Sequence, residues 1–99
     1  MSPLALQLYK TIQKIPRGKV TTYGTLAKYL KTSPRAIASM LAANTLPDVY
    51  PCYKIVHTDG RLGGYSYGEG VPEKIRRLKS DGIEILDGKV DLERFGMGF

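Results

Sequence analysis

Apolar positions recur through the first half of the chain at helical spacing. Leu4, Leu8, Ile12 and Ile15 fall on one face and predict a first helix, stopped by Pro16 and Gly18. After "KVTTY", Thr22 can cap a second helix whose Leu26, Ala27 and Leu30 line one side. "KTS" reads as a turn. Ser33 then caps a third helix with Pro34 at its first position, where a missing N–H does no harm, and this helix runs to about Asn44. Two short helices joined by a short turn predict a helix-turn-helix. The period changes after residue 52. "YKIVHTDGRLGGY" holds a strand-like run, an Asp59-Gly60 turn and a shorter strand, so it reads as a hairpin. A hairpin behind a helix-turn-helix is a winged arrangement. Pro72 opens a fourth helix that Gly82 ends, and "IEILDGKVDLERF" predicts a small terminal hairpin around Asp87-Gly88. The expected fold class is mostly α with small β hairpins, a winged helix-turn-helix, with residues 1–99 as a single domain.

Composition narrows the function classes. Ninety-nine residues support one hydrophobic core but not two. The apolar fraction, 42%, argues against wholesale disorder. No apolar run approaches the roughly 18 residues that span a bilayer, so no membrane partner is expected. "MSPLALQLYKTIQK" lacks a basic region followed by an apolar one, so no secretory signal is read. One cysteine, Cys52, cannot form an intramolecular disulfide, and with one histidine, His57, it cannot make a structural zinc site without several carboxylates. The expectation is a cytoplasmic monomer with a free thiol, no metal and no cofactor, associated with the nucleoid if prokaryotic. A formal charge of +6 hints at nucleic acid.

The third helix sharpens that hint. At 100° per residue, Ile37, Met40, Leu41 and Asn44 cluster toward the core. Arg35, Ala38, Ser39 and Ala42 cluster on the opposite face. Major-groove readers carry several long polar side chains, and none is present there. A smooth face lets the helix backbone approach a narrow minor groove, with Arg35 reaching past it. Alanine is also simply a good helix former, so the pattern alone leaves both explanations open.

Four stretches together resemble the C-terminal domain of the O6-alkylguanine-DNA alkyltransferases (methylated-DNA–protein cysteine methyltransferases). They are "IPRGKVTTYGTLAKYL", "SPRAIASMLAAN", "PCYKIVHTDGRLGGYS" and "GKVDLERF". The resemblance runs from Leu8 to Phe95 without the family's separate N-terminal domain, a size similar to that of the single-domain alkyltransferase-like proteins. Those replace the reactive cysteine, which this chain keeps. The resemblance implies a partner, double-stranded DNA containing O6-alkylguanine, bound through the minor groove. It places Tyr23, Arg35, Ala38 and Ser39 at the DNA, with Arg35 filling the stack vacated by a rotated nucleotide and Tyr23 pushing its phosphate. It makes Leu41, Asn44, Ile55, Tyr65, Ser66 and Tyr67 the base pocket, with Asn44 bracing the turn before the active site. Cys52 becomes the alkyl acceptor. Extrusion of the base makes physical sense, because a thiol cannot reach O6 inside a stacked duplex.

The chain departs from the family's Pro-Cys-His-Arg signature: Tyr53 stands for the histidine and Lys54 for the arginine. Asp81 aligns with the glutamate that backs that histidine, so the implied catalytic set is Cys52, Tyr53 and Asp81. A phenol, with a pKa of about 10, accepts a thiol proton poorly at neutral pH, but it can donate to a thiolate. His57, several residues into the expected hairpin, is the weaker substitute. Tyr67 stands where the family tends to have glycine, at the rim of the pocket. Two readings follow from the resemblance: a single-turnover alkyltransferase, or a lesion-binding protein that flags O6-alkylguanine for other repair factors. A transcription regulator would need base-reading side chains on the third helix.

Overall fold

The computed structural model describes residues 2–65 and 67–99. The expected helices form in order. Helix α1 spans Pro3–Ile12 and is capped by the Ser2 hydroxyl, which accepts from the Ala5 N–H at 3.1 Å. Helix α2 spans Tyr23–Leu30 behind Thr22, whose hydroxyl accepts from the Thr25 N–H at 3.0 Å. Helix α3 spans Pro34–Ala42 behind Ser33, which caps the Ala36 N–H at 3.1 Å. Helix α4 spans Val71–Ser80. Gly82, at φ +82°, turns the chain out of α4, and the N–H groups of Gly82 and Ile83 satisfy the carbonyls of Lys79 and Leu78.

The faces of α3 fall as the period predicts. Ile37, Leu41 and Asn44 are buried, Met40 packs against the core, and Arg35, Ala38, Ser39 and Ala42 are exposed. The terminal hairpin also forms. Strands β3 (Ile85–Leu86) and β4 (Lys89–Val90) pair antiparallel around Asp87 and Gly88, both at positive φ as a type I′ turn requires. Beyond it, Asp91 caps a short helix α5 over Leu92–Phe95, where the sequence suggested hairpin only.

The run from Tyr53 to Tyr65 does not return on itself as a two-stranded ladder. Strand β2 (Ile55–Val56) pairs in parallel with β1 (Thr21–Thr22) instead. The chain then closes tightly: Arg61 O accepts the His57 N–H at 2.8 Å, and the Asp59 carboxylate accepts the Arg61 N–H at 3.0 Å. Gly60 O accepts the Val90 N–H at 2.9 Å, and a Cβ on Gly60 would collide with the Val90 carbonyl. The loop is therefore tied to β4, not to β2.

The physical reason lies in burial. Successive strand residues face opposite ways, so Ile55 enters one core and Val56 another. The first core gathers α1, α2, α3 and Cys52; the second gathers Val20, Leu62, Leu78, Ile83 and Val90. The expected single core is thus two small clusters joined across β1 and β2. Among the described residues no helix is long and apolar enough to cross a membrane.

Candidate active site and nucleic-acid interface

Cys52 begins a 3₁₀ turn, Cys52–Lys54, between α3 and β2. Such a turn rotates each residue by about 120°, so three neighbours point three ways. Cys52 faces the first core and is 6% exposed. Tyr53 packs half-buried against the second core. Lys54 is buried and pairs with Asp81 at 2.7 Å, while its amine also donates to the Pro16 carbonyl at 2.7 Å. Asp81 accepts the Gly18 N–H at 3.0 Å as well. Asp81 therefore fastens the 3₁₀ turn to the loop after α1.

Asn44 holds the sulfur. Its side-chain Oδ1 accepts the Leu46 N–H at 3.0 Å, and its Nδ2 donates to the Tyr50 carbonyl at 2.8 Å. Those two partners fix which end of the amide is which. The remaining Nδ2 hydrogen then points at Cys52 Sγ, 3.1 Å away.

A cavity of about 520 Å³ opens over this sulfur, within the size range of ligand pockets. Arg35, Ala38 and Leu41 of α3 form one wall, with Asn44 and Cys52 at the base. Tyr23 and His57 form another side, their rings 5.3 Å apart. Tyr65 and Tyr67 close the third, edge to face at 6.4 Å. Among the described residues the buried Tyr65 hydroxyl meets no group in full hydrogen-bond geometry. It lies beside Cys52, and burial first and the sulfur second push its phenol upward.

The structure thus gathers Tyr23, Arg35, Ala38, Leu41, Asn44, Cys52, Tyr65 and Tyr67 around one space. Tyr53, Asp81 and Ile55 do not line it; Ile55 is wholly buried in the first core. Ser39 is exposed beside Ala38 without lining the cavity. Ser66 lies outside the described residues. His57 does line it, contrary to its expected place in a hairpin, because the chain turns sharply just after it.

One further residue escaped the sequence reading. Lys74, on α4, is 1% exposed. Its amine donates to Ile55 O at 2.8 Å and to Leu62 O at 2.5 Å, joining β2 to the segment that leads into Tyr65. Burial pushes it down to about 8, and a negative Cys52 would push it back up. The shift has a stability consequence. Unfolded, the amine keeps its proton to about pH 10.5; folded, it releases it near 8. Between those values the unfolded chain binds more protons, so stability rises with pH, by about 1 kcal/mol from pH 8 to 9. As the pH nears 10 the phenols of Tyr9, Tyr23, Tyr53 and Tyr65, raised in the folded chain, ionise first in the unfolded one and oppose the trend. Urea midpoints at pH 8 and 9 check this; a flat or falling midpoint would refute it.

Comparison with known proteins agrees with the geometry. Residues 3–83 match the profile described as "6-O-methylguanine DNA methyltransferase, DNA binding domain". A bifunctional methyltransferase/endonuclease of Picrophilus torridus is 50% identical over 89% of the chain, which spans 30% of that protein. A DNA base-flipping protein of Thermus thermophilus is 37% identical over 83% of the chain, which spans 54% of it. The crystal structure of the O6-methylguanine-DNA methyltransferase of Pyrococcus kodakaraensis superposes with TM-score 0.75 at 39% identity, covering 84% of this chain and 48% of that one. Schizosaccharomyces pombe Atl1, solved with damaged DNA containing O6-carboxymethylguanine, shares the fold at TM-score 0.88 and 22% identity, covering 100% and 98%. The chain belongs to the 6-O-methylguanine DNA methyltransferase family, matching its DNA-binding domain.

Proposed function

We propose that this chain binds duplex DNA containing O6-alkylguanine, receives the extruded base in the cavity, and takes the alkyl group irreversibly onto Cys52. The observation that carries this reading is the Asn44 hydrogen bond to Cys52 Sγ at the base of an open cavity. A thiol kept only for packing would not need a donor aimed at its sulfur. In the transfer step Sγ bonds to the alkyl carbon and the carbon–O6 bond breaks. That electron pair stays with guanine, which takes up one proton to balance the one the thiol gave up. No cofactor enters the balance.

The bare face of α3 supports approach to the minor groove, and Arg35 stands at the rim between that face and the cavity. In this reading its guanidinium fills the gap left by the extruded base. Arg35→Ala should therefore weaken binding to a duplex with one O6-methylguanine by about 10-fold or more, with less effect on undamaged duplex. Equal lesion affinity in a shift assay would remove Arg35 from the mechanism.

Intact-mass spectrometry with the O6-methylguanine duplex tests the whole reading. Transfer adds about 14 Da, once per chain, because the acceptor is not regenerated. A second reading, a lesion-binding protein without transfer, is favoured by Tyr53, which stands in the histidine's place yet does not line the cavity. It predicts tight, lesion-selective binding with no mass gain.

A further inference from the structure

We propose that Arg77 sets the size limit of the adduct, by clamping Tyr67 at the rim of the cavity; this rests on the transfer reading above. Tyr67 stands on the glycine-rich approach to α4, where its carbonyl accepts the Gly70 N–H at 3.1 Å. Gly68 and Gly70 both take positive φ, and Tyr67 itself is 36% exposed. Such a side chain swings freely unless something fixes it.

Arg77 supplies the fixing. Its guanidinium lies 5.6 Å from the Tyr67 ring centre and 5.8 Å from the Tyr53 ring centre. Both ends of the guanidinium are anchored: Nε donates to Glu73 at 2.7 Å, and Nη1 donates to Asp48 at 2.8 Å. Glu73 also presses on the loop from below, since a Cβ on Gly68 would sit 3.1 Å from its side chain. A planar cation held at two points is a rigid platform for an aromatic face.

The two aromatic departures from the family signature, Tyr53 and Tyr67, thus meet on one arginine. Tyr53 faces away from the thiol and backs Arg77. Tyr67 faces the cavity and forms part of its wall. An adduct that reaches from Cys52 to this wall must move the Tyr67 ring, and that costs its contact with Arg77. Freeing Tyr67 should therefore favour bulky adducts relative to methyl.

The test is the ratio of transfer rates from duplexes with O6-benzylguanine and with O6-methylguanine. Tyr67→Gly and Arg77→Ala should each raise the benzyl-to-methyl ratio at least fivefold. Their combination should raise it no further than Tyr67→Gly alone, because both remove the same wall. Arg77→Lys should raise it too, since an ammonium offers no flat face. Asp48→Ala, at a side chain 87% exposed, removes one anchor without touching a core and should give a smaller rise of the same sign. An unchanged ratio in Arg77→Ala and Asp48→Ala, or an equal further rise when Arg77→Ala is added to Tyr67→Gly, would overturn the clamp. If the wild type transfers neither group, the transfer reading fails. The same ratio read as lesion affinity in a shift assay then decides the clamp separately.

Discussion

Cys52→Ala is expected to end alkyl uptake completely while leaving lesion affinity within about threefold of wild type. The substitution removes one sulfur from a buried site and should cost about 1 kcal/mol of stability. Asn44 keeps its other partners, Tyr50 and Leu46, so the base of the cavity keeps its shape. Two measurements are needed together: intact mass after exposure to the O6-methylguanine duplex, and a shift assay on the same duplex. Persistent mass gain in the variant would assign the chemistry to another side chain and end the case for Cys52. Loss of binding together with transfer would mean that the sulfur is a packing atom on which the pocket depends.

Asn44→Asp should have the second largest effect, and it separates two roles of one side chain. The acceptor that holds the Leu46 N–H survives, but both donors, to Tyr50 O and to Cys52 Sγ, disappear. Two buried acceptors lose a partner, costing about 2 kcal/mol. The new carboxylate would also face the sulfur with like charge. Methyl transfer should fall about 100-fold, through the lost donor and the like charge beside the sulfur, with lesion affinity falling far less. An equal fall in transfer and in lesion affinity would show that Asn44 only braces the turn. Unchanged transfer would show that the sulfur needs no donor at all.

What could be read from the residues was what local chemistry decides. Thr22, Ser33 and Pro34 mark helix starts because each satisfies or lacks a hydrogen bond there. The bare face of α3 follows from 3.6-residue periodicity alone. Asp87-Gly88 specifies its own turn. What could not be read was set by distant partners. Nothing near Ile55 says that β2 pairs with β1, more than thirty residues earlier, or that Gly60 is tied to Val90. Lys74 sits in a charged helix where a solvated lysine is the ordinary case, and only the carbonyls of Ile55 and Leu62 draw it inside. Arg77 looked like one more surface charge until Tyr53 and Tyr67 came to either side of it. His57 reached the cavity because an expected hairpin was a tight loop.

The seam along β1 has a consequence in time. Val20 accepts the Met97 N–H at 2.8 Å and donates to Phe95 O at 2.7 Å, while Thr21 donates to Met97 O across 76 positions of sequence. Closing a loop that long costs about 4 kcal/mol of chain entropy before any contact repays it. Strand β1, the partner of the strand that carries Ile55, is thus completed on its other side by residues about 75 positions further along. During synthesis the cavity's own residues emerge well before the segment that finishes this seam, so a nascent chain holds the thiol-bearing turn against a β1 that still lacks its outer neighbour.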